Sequence, residues 1–199
     1  MAIQGKTASF VRSEEKAGLP AHGPVLVGIK LQAGDGVYPV GLLLTRNAAD
    51  TGRPLQVVTG EVLDAGDGNT KAFGGVLAAG LPVQPGTVVV TDGVEAFADD
   101  GCGRLTGDAG GSGTVNYATG AVAVTFNANV VNETDIEVSY VTRVDAVLDE
   151  TVDTAASTSG NAVVHGTVAR QALKVGAVAQ APPSAAVLAL LRAVGIYSL

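Results

Sequence analysis

The sequence has no tryptophan, a single cysteine and only two histidines among its 199 residues. The one cysteine, Cys102, excludes a disulfide within the chain, which argues against stabilisation for an oxidising compartment. The N-terminal residues lack the apolar segment of a secretion signal, and no apolar run reaches the roughly 18 residues that a membrane-spanning helix needs. We therefore expect a protein that is made and folded in the cytoplasm.

Charged residues are also scarce, at 16% of the chain against roughly 25% in ordinary soluble proteins. The formal net charge is −7, whereas nucleic acids and anionic membranes are bound by basic surfaces. We expect neither a nucleic acid nor a membrane as a partner. The abundant residues are hydrophobic ones, at 47%, and glycine, with 27 copies. This composition is typical of a β protein with many turns.

The charge is concentrated in one part of the chain. Residues 66–141 contain nine acids and two bases, together with fourteen glycines, while the remainder contains ten acids and ten bases. A compositional block of this length indicates an inserted domain. We predict an N-terminal arm at residues 1–24, a discontinuous base domain at 25–65 and 142–199, and an inserted β domain at 66–141.

Alternating apolar residues predict strands throughout the inserted segment. Two β-rich runs flank Asp92-Gly93, which favours a hairpin with a tight type I′ turn. A second hairpin is predicted around Ala118-Thr119-Gly120, and "DIEVSYV" follows as a further strand. The residues expected on the buried faces are Val115, Tyr117, Val122, Val124 and Phe126 in the hairpin and Ile136, Val138 and Tyr140 in the last strand. This periodicity predicts a small antiparallel sandwich or barrel.

The glycine-rich stretch "DDGCGRLTGDAGGSGTVNYATG", residues 99–120, does not match the spacing of a phosphate-binding loop. It also lacks the alternating acids and final glutamate of an EF-hand. Asp99, Asp100 and Asp108 could converge on a calcium ion, and this alternative stays open. The favoured interpretation is a set of tight turns, in which glycine supplies positive φ angles and aspartate caps its own turn.

Candidates for catalysis are few. His165 lies in the alternating strand "NAVVHGTVA", His22 lies in a different setting, and Cys102 has no histidine near it in sequence. Asp149, Glu150 and Asp153 follow a strand in "LDETVD", where a solvated turn is favoured over a carboxylate pair. No serine sits in a nucleophile elbow. We expect no enzyme activity, no catalytic or metal-binding residue and no cofactor.

The chain closes with a predicted helix in "PPSAAVLALLRAVGIYSL". Ser184 is a suitable N-cap and Gly195 a suitable stop. A helix of about ten residues is not stable alone, so it must pack on the β-domain or on a neighbouring subunit. The residues assigned to packing between subunits are Val187, Leu191, Val194, Ile196 and Tyr197. An ordinary core helix is the alternative.

The flanking segments resemble a known family. "VGLLLTRNAADTG", "AVLDETVDTAA", "AVVHGTVARQAL" and "LLRAVGIY" occur in this order and are similar to motifs of the lambda-type head decoration proteins of tailed bacteriophages. The resemblance covers about 110 residues outside the insert. Ala146 stands where members of that family often have glycine. The fold that this resemblance implies is mainly β, a small decoration domain with a short C-terminal helix, interrupted by the inserted domain.

The insert is similar to a β-module that recurs in phage structural proteins. Its opening motif is "GDG-x-T-x-x-F" and its hairpin motif is "GxxNYxTGxxxxxF". The matching residues are Gly66, Asp67, Gly68, Thr70, Phe73, Gly113, Asn116, Tyr117, Thr119, Gly120 and Phe126. This similarity points to a part of a virion without choosing which part.

The first resemblance implies a homotrimer that binds the outer surface of the expanded capsid at threefold positions and stabilises it. The partners would be the major capsid protein and the chain itself, and the location would be the capsid surface after synthesis in the host cytoplasm. The N-terminal arms of such proteins become ordered on the shell. Phe10, Val11 and Arg12 are the capsid-contact residues that we predict, and pairing of the arm with a capsid strand is the hypothesis for the contact.

Two alternatives stay open. The inserted module recurs in tail, baseplate and fibre components, which would form rings or fibres instead of trimers on a shell. A calcium-dependent adhesion or glycan-binding module would instead use the acidic loops. That alternative predicts a higher melting temperature in millimolar calcium, lost when Asp99 or Asp108 is replaced by asparagine.

Overall fold

Within the residues that the structure describes, the fold is mainly β with one short α-helix, as predicted. The computed structural model describes residues 16–19 and 22–199. The strands are Gly18–Leu19 (β1), Val25–Leu31 (β2), Val37–Tyr38 (β3), Leu43–Arg46 (β4), Thr51–Pro54 (β5), Val57–Ala65 (β6), Ala72–Val76 (β7), Val89–Thr91 (β8), Ala96–Asp99 (β9), Arg104–Gly107 (β10), Ser112–Val115 (β11), Ala121–Thr125 (β12), Asp135–Val141 (β13), Ala146–Leu148 (β14), Val152–Asp153 (β15), Ser159–Val168 (β16) and Ile196–Ser198 (β17). A 3-10 turn spans Arg170–Ala172, and helix α1 spans Ala185–Ala193.

Five strands form a closed barrel in the order β16-β14-β4-β5-β2 and back to β16. The pairing of β2 with β5 is parallel, and the other pairings within this circuit are antiparallel. Strand β16 continues beyond the barrel, where β1 and β17 pair with it. A separate two-stranded ladder joins β3 to β15. The barrel therefore takes its strands from both ends of the chain.

Strands β4 and β14 of the barrel are buried on two sides. Leu42 and Leu44 pack in one apolar cluster with Leu148, whereas Leu43 packs in another with Leu191 of α1. Burial of both faces explains why Leu42, Leu43 and Leu44 form a continuous apolar run without alternation. Ser184 is the N-cap of α1, and its side chain accepts a hydrogen bond from the Val187 N–H, so the predicted helix and its N-cap are confirmed.

The other large sheet is built from one contiguous stretch of chain. Its eight strands run in the order β6-β13-β8-β9-β10-β11-β12-β7, all antiparallel. The two end strands, β6 and β7, lie close to each other. The Glu61 carboxylate of β6 accepts hydrogen bonds from the N–H groups of Ala78 and Ala79, just after β7. The Tyr140 hydroxyl donates to the same carboxylate. The sheet is thus a nearly closed, barrel-like layer.

The predicted buried faces of this sheet are confirmed for its two clearest patterns. Ile136, Val138 and Tyr140 are buried, as are Val122 and Val124. The alternation therefore predicted correctly which side chains form the core of the sheet.

The turn predicted at Asp92-Gly93 is wrong in length. The hairpin forms, but Thr91 pairs with Ala96, so that the loop contains four residues. A type I′ turn needs positive φ at both central residues, and only Gly93 has it. The Asp92 carboxylate instead accepts hydrogen bonds from the N–H groups of Val94 and Glu95.

The eight-stranded sheet begins before Gly66, where the boundary of the inserted domain was predicted. Residues 57–65, which were assigned to the base, form β6 and pair with β13. The sheet then contains eleven acids and two bases in residues 57–141, and the rest of the chain contains eight acids and ten bases. At the junction the hydroxyls of Thr45 and Thr142 are buried and 2.7 Å apart.

Candidate functional site

The glycine-rich stretch forms the turns that link β9, β10, β11 and β12. The Asp99 carboxylate accepts hydrogen bonds from the Gly101 N–H at 2.9 Å and the Gly86 N–H at 2.7 Å. Asp100 accepts from the N–H groups of Cys102 and Arg104, and these bonds hold the pKa of the Asp100 carboxyl below its usual value. Gly101, like several other glycines of the stretch, has a positive φ, +77°. The interpretation as turn chemistry is confirmed.

A buried carboxylate explains why residues 107 and 111 are glycines. Glu95 is 4% exposed, and its two carboxylate oxygens accept hydrogen bonds from the Gly111 N–H at 2.6 Å and the Asn127 N–H at 2.8 Å. A Cβ on Gly107 or Gly111 would overlap a carboxylate oxygen of Glu95. These glycines make room for the carboxylate that ties the loops together, a role that their sequence pattern did not indicate.

The three aspartates considered for calcium bind different backbone N–H groups. Asp108 accepts a hydrogen bond from the Ala96 N–H, whereas Asp99 and Asp100 bind the N–H groups described above. Among residues 16–19 and 22–199, no group of three or more histidine, cysteine or acidic side chains is placed to hold a metal ion.

The residues of the insert motif shape turns and core. The Asp67 carboxylate accepts hydrogen bonds from the N–H groups of Asn69 and Thr70 and from the Thr70 hydroxyl. The bond from the Thr70 hydroxyl, with those from the backbone, lowers the pKa of Asp67. Phe73 and Phe126 pack edge to face, with ring centroids 6.0 Å apart. The contacts of these motif residues therefore stabilise the turns and the core of the sheet.

Tyr117 connects two of these turns. Its hydroxyl donates to the Asp99 carboxylate at 2.6 Å and accepts from the Gly103 N–H at 2.8 Å. Burial, together with the hydrogen bond to Asp99, raises the pKa of Tyr117 to about 12 from 10.0. The phenol was expected on the buried face of a strand, but it lies in the turn after β11 and is half-buried.

We expect Tyr117→Phe to remove an ionisation at unusually high pH. A raised pKa in the folded state means that the stability contributed by this phenol is present below pH 10 and is lost as pH rises toward about 12. Phenolate absorbance of the wild type minus that of the variant should show one transition near pH 12. A difference centred at pH 10, the unperturbed value, would contradict this account.

The acids of "LDETVD" are not all in a solvated turn, so that prediction is wrong for the first of them. Asp149 is 3% exposed, and its carboxylate accepts a hydrogen bond from the Gly18 N–H at 2.7 Å, with the Lys16 ammonium 3.9 Å away. Glu150 binds the Asn161 backbone N–H, and Asp153 caps its own turn. Asp149 therefore anchors β1 to the barrel.

We expect Asp149→Leu to release β1, because the Gly18 N–H would lose its acceptor at a cost of about 1–3 kcal/mol. Hydrogen exchange of the Ala169 amide, which donates to Ala17, should become faster. Asp153→Ala, at an exposed turn, is the control and should leave that exchange rate unchanged. Unaltered Ala169 exchange in the Asp149 variant would show that β1 is held by other contacts.

The two histidines, distant in sequence, lie together. Their ring centroids are 5.3 Å apart, and the His22 ring is 6.1 Å from that of Tyr197. Val25 pairs with His165 across β2 and β16, and its side chain is 49% exposed. We call His22, Val25, His165 and Tyr197 the aromatic patch. It is exposed and lies beside β1, and no sequence signal brought these residues together.

The residues assigned to subunit packing fall into two groups. Val187, Leu191 and Ile196 are buried within the chain's own core. Val194 and Tyr197 are 38% and 44% exposed, and these two are accessible to another subunit. The assignment to subunit packing stays a prediction. Phe10, Val11 and Arg12 lie outside the described residues.

No protein-family model, no curated protein and no solved structure matches this chain. Among the described residues, no helix has both the length and the apolar character that crossing a membrane requires.

Proposed function

We propose that this chain is a structural virion protein that binds the outer surface of the expanded phage capsid as a homotrimer at threefold positions and stabilises it. The role is structural and uses neither catalysis nor a cofactor. The sequence resemblance motivates this proposal, and one observation supports it most directly: the chain's negative charge is concentrated in the eight-stranded sheet, and the rest of the chain is nearly neutral.

That division gives the molecule two unlike parts. The eight-stranded sheet, with eleven acids against two bases, is strongly acidic, whereas the remainder has ten bases against eight acids. A nearly neutral surface can be buried against another protein without leaving many charges unpaired. An acidic surface stays solvated and repels neighbouring particles. We propose that the barrel faces the shell and that the acidic sheet faces the solvent.

The aromatic patch supplies a contact surface in this arrangement. It lies next to β1, the first described strand, and the predicted contacts Phe10, Val11 and Arg12 precede β1 in sequence. Aromatic side chains are favoured in protein interfaces because they bury a large area with a polar end still available. We propose that the patch and the N-terminal arm bind the major capsid protein together.

Co-sedimentation with empty heads tests this function. Purified protein is mixed with immature and with expanded heads assembled from the major capsid protein of the same virus, and bound copies are counted. We expect saturable binding to expanded heads, lost on deletion of residues 1–15 and weakened by Val25→Ser with Tyr197→Ser. Val131→Ser, at a 65% exposed valine of the acidic sheet, is the matched control. Binding to neither form would contradict the proposal and favour a tail component.

A further inference from the structure

A cleft of about 440 Å³ lies at the junction between the barrel and the acidic sheet. Arg46 and Arg53 reach it from β4 and β5, and Arg143 reaches it from the segment between β13 and β14. Leu81 and Pro82, from the loop after β7, contribute an apolar wall. Three of the chain's arginines are therefore gathered around one opening in a protein whose net charge is −7.

The guanidinium groups are only partly neutralised. Arg46 bonds to the Asp50 carboxylate at 3.2 Å, and Arg143 bonds to Asp145 at 2.9 Å. The Arg53 guanidinium donates to a neutral acceptor, the carbonyl oxygen of Leu81, at 3.1 Å. Within the described residues, two of the three guanidinium groups thus form a hydrogen bond with a carboxylate, and the third bonds to a carbonyl oxygen.

One donor at this place is buried and unsatisfied. The Nε atom of Arg46 has no hydrogen-bond partner within the described part of the chain. A buried donor without an acceptor costs free energy, so such groups are rare in folded proteins and call for an explanation. Arg46 therefore lacks one of the acceptors that its guanidinium group could use. The Arg46 and Arg143 side chains are 33% and 45% exposed, so they are also accessible from solvent.

From this geometry we propose that the cleft is a binding site for a small ligand that carries a carboxylate or phosphate group. Guanidinium groups present several N–H donors in a planar fork that matches these oxyanions. The volume lies in the range of small-ligand sites, and the mixture of apolar walls with a few charged groups is typical of them. The oxyanion would be held by Arg46, Arg53 and Arg143, and the apolar part of the ligand would contact Leu81 and Pro82.

The proposed site is independent of the proposed capsid role. Its test therefore uses the isolated protein, without any capsid. The arginine Nε–H signals are followed by NMR while inorganic phosphate, citrate or sodium chloride is added at matched ionic strength. We expect saturable shifts of the Arg46 and Arg53 signals with phosphate or citrate and none with chloride. Comparison of the first two anions distinguishes a phosphate ligand from a carboxylate ligand.

Variants decide whether these side chains form the site. Replacing Arg53 with glutamine removes its charge-assisted hydrogen bonds and should weaken binding about tenfold or more. Arg143→Gln should do the same, which guards against a variant that fails to fold. Arg170→Gln, at an exposed position in the 3-10 turn, is the matched control and should bind as the wild type does. Equal, non-saturating shifts with all three salts, or unchanged affinity in both cleft variants, would overturn the proposal.

Discussion

Replacing Gly41 with alanine is expected to lower the free energy of unfolding by about 3 kcal/mol or more, the sum of backbone strain and overpacking. Gly41 has a φ of +82°, where residues with a side chain are strained. A Cβ at this position would also collide with the backbone carbonyl of Ala172, which follows β16. The Gly41 N–H bonds to Leu148, and the Gly41 carbonyl accepts from Lys174, so the backbone cannot move away without breaking these bonds.

Alanine substitutions at two other glycines distinguish the cost of backbone strain from the cost of the steric collision. Gly34 has a similar φ, +77°, but a Cβ there would meet nothing within 4 Å. Gly34→Ala should therefore cost only about 1–2 kcal/mol. Gly28 has an ordinary φ and open space, so Gly28→Ala should be nearly neutral. Denaturant unfolding of all three variants measures these differences. Equal losses for Gly41 and Gly34 would contradict the close approach to Ala172.

Replacing Phe97 with alanine is expected to cost about 3–5 kcal/mol, the usual loss for a fully buried aromatic ring. Phe97 is 0% exposed and packs edge to face on Phe126, with ring centroids 4.9 Å apart. Its ring lies in the core of the acidic sheet, close to where Glu95 ties the loops together. Removing the ring leaves a cavity that the surrounding strands can close only in part.

The matched control for this prediction is Val94→Ala. Val94 lies in the loop before β9 and is 83% exposed, so its truncation should change stability by no more than about 0.5 kcal/mol. Both variants are compared by denaturant unfolding followed by near-ultraviolet absorbance and by circular dichroism. A loss below about 1 kcal/mol for Phe97→Ala would mean that the ring is not packed as described.

The acidic sheet was the more predictable half of the fold. Consecutive strands from β8 to β12 pair with one another, and most strands of the sheet are buried on one face. The period of two in segments such as "DIEVSYV" was therefore sufficient to assign the buried residues. Turn length was less predictable. The Asp92 side chain competes for backbone N–H groups and makes a four-residue loop, where the dipeptide alone favoured a two-residue turn.

The barrel was harder to predict because its contacts join distant parts of the chain. Strand β2 pairs with β16, which lies more than 100 residues later in the chain. No local sequence pattern indicates which distant strand will be the partner. Leu42, Leu43 and Leu44 are buried on both faces, so they show no alternation. For the same reason the convergence of His22 with His165, 5.3 Å apart, could not be inferred from their separate settings.

The buried acids show the same limit at the level of side chains. Asp149 and Glu95 occur in polar segments that resemble exposed turns, yet both are buried and bind backbone N–H groups from elsewhere in the chain. A carboxylate can be buried only where hydrogen-bond donors meet it, and the local sequence does not indicate donors that come from distant segments. The arginines of the junction cleft were missed likewise, since Arg143 lies almost 100 residues from Arg46 in sequence.

The proposed function is tested most directly by electron cryo-microscopy of expanded heads incubated with the purified chain. We expect added density at the threefold positions of the outer surface, with three copies in each, the barrel against the shell and the acidic sheet pointing outward. Immature heads should show no such density. Expanded heads without added density at saturating protein, or density in which the acidic sheet contacts the shell, would contradict it.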